Sequence, residues 1–321
     1  MKNLLKRIEN CFFSLLVILS TIPVYSDNLS PLPSPTTTSS HSFLSQWGGS
    51  GPAKGQLWNP YGIALDEKNK VYVADYANDR IEVFDSTGKY LMDWGSKGNG
   101  LDQFHHALGV AIDQNGNLYA ADTLNNRIKK YTSDGIYVSE WGTYGTGNGQ
   151  LFNPALLAIS PQGNLWVVDC SNDRLQEFTS SGNYLAQTGE LGINVGQFNT
   201  PMGIAVDSIG NLYVSDMNNS RIEKFSPQGN YLSQWGKNGQ ADGEFDTPEG
   251  VAVDKQDRVY VVDSLNNRIQ EFTSSGIYMT QWGSTGKGDG QFSMPAGIAL
   301  DQSENVYVTD WGSDRIEKFG P

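Results

Sequence analysis

The chain has 321 residues, among them 36 Gly, 15 Tyr and 8 Trp, with 38% apolar and 18% charged residues. That apolar share can build a core and excludes wholesale disorder, and the glycines lack the triplet period of collagen. The net charge of −13 repels phosphate backbones at long range, which argues against general nucleic-acid binding.

Residues 1–26 read as a secretory signal. Lys2, Lys6 and Arg7 precede an apolar run from Cys11 to Ser20, and Val24-Tyr25-Ser26 places small or apolar residues before a cut at Asp27. The run is short for a span of ~20 residues. The expectation is therefore a secreted, periplasmic or cell-surface protein with no transmembrane span in the mature chain. Residues 27–41 are rich in Pro, Ser and Thr, cannot bury enough apolar surface to fold, and read as a tether. Cys170, the cysteine left after cleavage, has no basic sequence neighbour to lower its pKa and reads as a half-buried small residue rather than a nucleophile.

From residue 42 onward one unit recurs. Tyr61-Gly-Ile-Ala-Leu-Asp66 returns as Met202-Gly-Ile-Ala-Val-Asp207, Glu249-Gly-Val-Ala-Val-Asp254 and Ala296-Gly-Ile-Ala-Leu-Asp301, with looser copies at 108–113 and 155–160. Asp75, Asp122, Asp169, Asp216, Asp263 and Asp310 repeat every 47 residues, each followed five positions later by Arg80, Arg127, Arg174, Arg221, Arg268 or Arg315. Trp94, Trp141, Trp235 and Trp282 keep the period, with Thr188 in the remaining slot. Within a unit, 63–65, 71–74, 80–84 and 90–94 alternate with period two and are separated by turn residues, which predicts four short strands. Four antiparallel strands per ~40–50 residues is the pattern of a propeller blade.

The sixth unit stops at Pro321 after its third strand, while Phe43-Leu-Ser-Gln-Trp-Gly48 is a fourth-strand sequence with no blade before it, and Trp47 keeps the Trp register. The N-terminal strand should therefore complete the last blade beside Arg315–Phe319, leaving the ring no unclosed blade. The expected fold is an all-β, six-bladed propeller over 42–321, acting as a monomer.

These repeats resemble NHL-repeat propellers, whose units read like Pro-x-Gly-Ile-Ala-Val-Asp, Gly-Asn-x-Tyr-Val-Ala-Asp, Asn-x-Arg-Ile-x-x-Phe and a closing Trp-Gly. The resemblance implies the fold. It does not select a function, because that family spans enzymes, RNA readers, receptor ectodomains and interaction platforms.

Residues shared by all six units are best explained by what every blade needs. The six Asp–Arg pairs bracket the turn between the second and third strands, and the Trp column fills space between blades. Gly-rich connectors such as 142–149 lack the Gly-Lys-Ser/Thr and following helix of a phosphate loop. Function is expected where the units differ, on the face carrying these turns. The turn tips offer Tyr76, Leu124, Met217, Leu265 and Trp311 as a contact ring. A second ring precedes the first strands: Tyr61, Leu108, Ala155, Met202, Glu249 and Ala296, with Glu249 its one charge. Blade three departs most, with Leu156 for Gly, Ser160 for Asp and Thr188 for Trp.

The expected function is a non-enzymatic scaffold that binds a protein, peptide or glycan through this top face, with no catalytic residue, metal or cofactor and no nucleic-acid partner. The alternative is a lyase- or lactonase-type enzyme with a metal near the channel, as the resemblance to amidating lyases and lactonases implies. Its histidine supply is thin: beyond the leader the chain has His41, His105 and His106, and a zinc site needs three or four convergent ligands. The equal periods also leave no insertion to form a lid. An RNA-binding or ubiquitin-ligase-type NHL domain is disfavoured by the acidic charge and by the absence of RING cysteines.

Overall fold

A computed structural model describes residues 41–321. The predicted signal and all but the last residue of the predicted tether lie outside the described residues. Six four-stranded antiparallel sheets follow one another around a ring. Blade one consists of Pro60–Leu65, Val71–Asp75, Arg80–Phe84 and Tyr90–Trp94. The first strands of neighbouring blades face each other around the axis, and each Trp-bearing fourth strand lies at the rim.

Ring closure follows the sequence expectation. Ser42–Gly48 pairs antiparallel with Arg315–Gly320, with Phe43 opposite Phe319, Trp47 opposite Ile316 and Gly48 opposite Arg315. Gly49 N–H donates to Asp314 O at 2.8 Å, and Asn59 N–H donates to Asp314 Oδ1 at 2.8 Å. His41, read as the end of the tether, is instead packed on the propeller. Its ring lies 4.1 Å from that of Trp282, and its Nε2 is 3.1 Å from Glu271 Oε2.

The Asp–Arg pairs are fasteners. Each Arg Nε donates to the Asp Oδ2, at 2.7 Å for Arg80–Asp75 and 2.8 Å for Arg174–Asp169. The other carboxylate oxygen accepts a backbone N–H from the segment entering the same blade, such as Trp58 N–H to Asp75 at 2.7 Å. The guanidinium then reaches connector carbonyls: Arg221 donates to Ile193, Asn194 and Gln197 O. Hydrogen bonds with a charged partner are worth about 1.5–3 kcal/mol each, so one pair stitches three backbone segments. Burial raises the carboxyl pKa of Asp75, Asp169, Asp216, Asp263 and Asp310, while the arginine and the N–H donors pull it back.

The Trp column fills gaps between blades. Trp94 packs on Tyr131 at 5.7 Å, Trp235 on Phe272 at 5.8 Å and Trp282 on Phe319 at 5.9 Å, each a third-strand ring of the next blade. Blade three changes the pattern in a concerted way. Where other blades carry Tyr bonded to the strand-end Asp, as Tyr119 Oη to Asp113 at 3.0 Å, blade three has Trp166 and Ser160. A Cβ built on Gly229 meets Thr188 at 3.2 Å and Trp166 Cη2 at 3.7 Å, whereas its counterpart Gly276 meets Trp235. Trp166 therefore occupies part of the space that Thr188 leaves.

Candidate functional site

Around the axis every first strand except that of blade three, which has Leu156, carries a glycine against the next blade. A Cβ at Gly203 would lie 2.1 Å from Glu249 O, and one at Gly297 would lie 2.2 Å from Tyr61 O. Only a hydrogen side chain permits that approach. These two contacts are reinforced by hydroxyls that other blades lack. Gly203 N–H donates to Ser215 Oγ at 2.7 Å, and Ser215 donates to Glu249 O at 2.5 Å. Gly297 N–H likewise donates to Thr309 Oγ1 at 2.7 Å, which donates to Tyr61 O at 2.6 Å. The strands that present Glu249 and Tyr61 are thereby pinned to the blades before them.

The ring preceding the first strands and the turn-tip ring converge in one apolar cluster. It contains Tyr61, Leu108, Ala155, Leu156, Cys170, Met202, Met217, Ala296 and Trp311, with Tyr76 and Met294 packed against it. The tip side chains Cys170, Met217 and Trp311 are buried rather than spread as a flat exposed surface. The short 3-10 turns that carry them, such as Met217–Asn219 and Trp311–Ser313, turn the first tip residue inward. Of the candidates, Tyr61, Tyr76, Met202, Met217 and Trp311 share this mouth, with Glu249 among them in the inner ring. Leu124 and Leu265 stand outside the cluster, half-buried, with their N–H groups bonded to His105 and Asp246 O. Cys170 is fully buried rather than half-buried, and no described cysteine is free.

Tyr61 Oη, Glu249 Oε2 and Trp311 Nε1 are buried in the mouth, as the indole Nε1 atoms of the Trp column are between the blades. The residues themselves are 1%, 2% and 8% exposed. Burial pushes the Glu249 carboxyl up to about 8, against a smaller opposing pull from Tyr61 and Ser264. Burial also raises the Tyr61 phenol, with Glu249 adding to it. The two groups are close enough to influence each other's ionisation, and the hydroxyls of Tyr61 and Ser264 are the polar neighbours of the carboxyl. Tyr76 stacks on His106 at 4.3 Å and 9°, and His106 Nδ1 lies 3.2 Å from Tyr76 O. Burial lowers the His106 pKa.

Sequence reasoning singled out Glu249 but missed Met294 and the two pinning hydroxyls. Ser215 and Thr309 replace Ala or Val of other blades at one register, a signal present in the repeat alignment. Among the described residues no group of three or more His, Cys, Asp or Glu is arranged to hold a metal ion, and no helix is long and apolar enough to cross a membrane. A cavity of about 930 Å³ opens where the first strands end, away from the turn tips, lined in part by Asp113, Asp207, Asp254 and Asp301. Those carboxylates are engaged by their own turns, as Asp207 is by Asn211 and Tyr213.

Family models match the chain in two places: the NHL repeat at residues 245–272 and 292–319, and a 6-bladed beta-propeller family at residues 60–142. No curated protein matches the sequence significantly. Among solved structures, a streptogramin B lyase is 18% identical, with 87% of this chain and 97% of that one covered and a TM-score of 0.61. A gluconolactonase from Xanthomonas campestris is 18% identical over 83% of this chain and 87% of its own, with a TM-score of 0.61. A protein of unknown function from Bacteroides thetaiotaomicron is 18% identical over 87% of this chain and 75% of its own, with a TM-score of 0.69. At such identities the likeness concerns the fold. The chain is a six-bladed β-propeller that carries NHL repeats.

Proposed function

We propose that the protein is an exported binding propeller that captures a protein, peptide or glycan by a group inserted into the top-face mouth. One observation carries this reading. Most positions at which the six blades differ gather into a single apolar cluster, and beside it lies Glu249, a buried carboxyl with no basic group next to it. A fold optimised only for stability would pair such a carboxyl with a cation or replace it. Export is supported by the basic leader and its apolar run.

The test is a thermal-shift screen of peptides and oligosaccharides against the wild type, Tyr76→Ala, Trp311→Ala, Leu124→Ala and Leu265→Ala. A ligand of this mouth loses its effect in the first two variants and keeps it in the last two. Hits indifferent to Tyr76 and Trp311 overturn the reading.

A second reading has a specific support. A carboxyl held near 8 beside a phenol can donate a proton at neutral pH, and two of the structural neighbours bear the names lyase and gluconolactonase. Conversion of a mouth ligand, detected by mass spectrometry and abolished in Glu249→Gln, would replace the scaffold reading with an enzyme.

A further inference from the structure

We propose that the mouth receives a primary ammonium group carried on an apolar body, with Glu249 as its counter-ion and the rings of Tyr61, Tyr76 and Trp311 as its walls. This deepens the reading of the mouth as a binding site and rests on it.

Glu249 lacks the arginine that every other buried glutamate faces. Five glutamates are buried among the described residues: Glu82, Glu223, Glu249, Glu271 and Glu317. Four face an arginine, namely Arg80, Arg221, Arg258 and Arg315 respectively for Glu82, Glu223, Glu271 and Glu317. Glu249 has no basic group beside it and meets only the hydroxyls of Tyr61 and Ser264. An unpaired carboxyl in apolar surroundings costs several kcal/mol if ionised, and a cation is the partner whose arrival removes that cost.

The surroundings fit such a cation. Ala296 sits in the blade between those bearing Glu249 and Tyr61, and it adds only a methyl group beside the carboxyl and the phenol. Aromatic faces attract cations by about 0.5–2 kcal/mol, more when desolvated. Met202, Met217 and Leu108 give the rest of the lining an apolar character suited to a hydrocarbon body. Tyr61 Oη can accept a second ammonium N–H. The net charge of −13 draws cations toward the protein.

Calorimetric titration of the full chain at pH 7 with three shape-matched probes tests the assignment: 2-phenylethylamine, 2-phenylethanol and 3-phenylpropanoate. The amine is expected to bind at least ten-fold more tightly than the alcohol, and the carboxylate most weakly. Glu249→Gln and, as a second variant without a charge, Glu249→Met should each bring the amine down to the level of the alcohol, with folding verified by unchanged or higher melting temperature. Trp311→Ala should weaken amine and alcohol alike. An alcohol that binds as tightly as the amine, or an amine preference that survives both Glu249 variants, overturns the ammonium assignment and leaves the mouth as a binding site. Failure of all three probes to bind the wild type, or binding unaffected by Trp311→Ala, overturns the mouth along with it.

Discussion

Replacing Glu249 by Gln should stabilise the protein, and by an amount that grows with pH. The carboxyl ordinarily titrates near 4.5 and is pushed by burial to about 8 in the folded chain. The folded state therefore holds the proton more tightly than the unfolded state, so this group's contribution is most favourable below pH 4.5 and declines as pH rises toward about 8. Between 4.5 and 7 the unfolded chain releases the proton while the folded chain keeps most of it. At about 1.4 kcal/mol per pH unit the accumulated loss at pH 7 is about 3 kcal/mol. Glu82, Glu223 and Glu317 are pushed up to about 7 in the same way, so the wild type alone would report a sum. The difference between wild type and Glu249→Gln cancels them. Urea unfolding at pH 5, 6, 7 and 8 measures it, and the variant's advantage should widen by about 3 kcal/mol between acidic and neutral solution. A difference that does not change with pH would refute the picture of a lone buried carboxyl.

Other expectations follow from the fasteners and the packing. Asp169→Ala leaves the Arg174 guanidinium without its carboxylate in a buried site and should cost about 3–5 kcal/mol, read as a lowered urea midpoint. Ser215→Ala strands Gly203 N–H and Glu249 O and should cost about 1–3 kcal/mol, with a larger loss of probe binding at the mouth than Ser→Ala at the exposed Ser180. In blade three, Thr188→Trp alone should overpack against Trp166 and Trp166→Tyr alone should leave a void, while the double variant recovers stability. A double-mutant cycle without coupling would contradict the compensation. Deleting residues 42–48 removes the fourth strand of blade six and should lower the denaturant midpoint of the whole ring rather than fray one blade.

The architecture was legible because a fixed period of 47 residues repeats strand, turn and fastener alike, so six weak signals reinforce one another. The closure was legible because Trp47 keeps the register of a blade that otherwise lacks a fourth strand. Glu249 stood out as the one charge in its ring. The direction of the tips was not readable: Met217 and Trp311 look like exposed loop residues until the 3-10 turn fixes their orientation. That tertiary geometry turns an expected contact surface into a buried cluster. Blade three was readable only as divergence, since Trp166 and Thr188 lie on different strands and their exchange becomes visible in three dimensions. The roles of Ser215 and Thr309 depend on a carbonyl from the neighbouring blade, which no single repeat contains.

The most direct measurement is a crystal structure of the protein with a bound ligand identified by the screen. The ligand should be seated at the axis between Tyr61, Met202, Glu249 and Trp311, with a polar atom within hydrogen-bond distance of Glu249 Oε2. A ligand lodged at the opposite opening beside Asp207 and Asp254, or on the outer strands, would contradict the claim that the protein works where its blades differ.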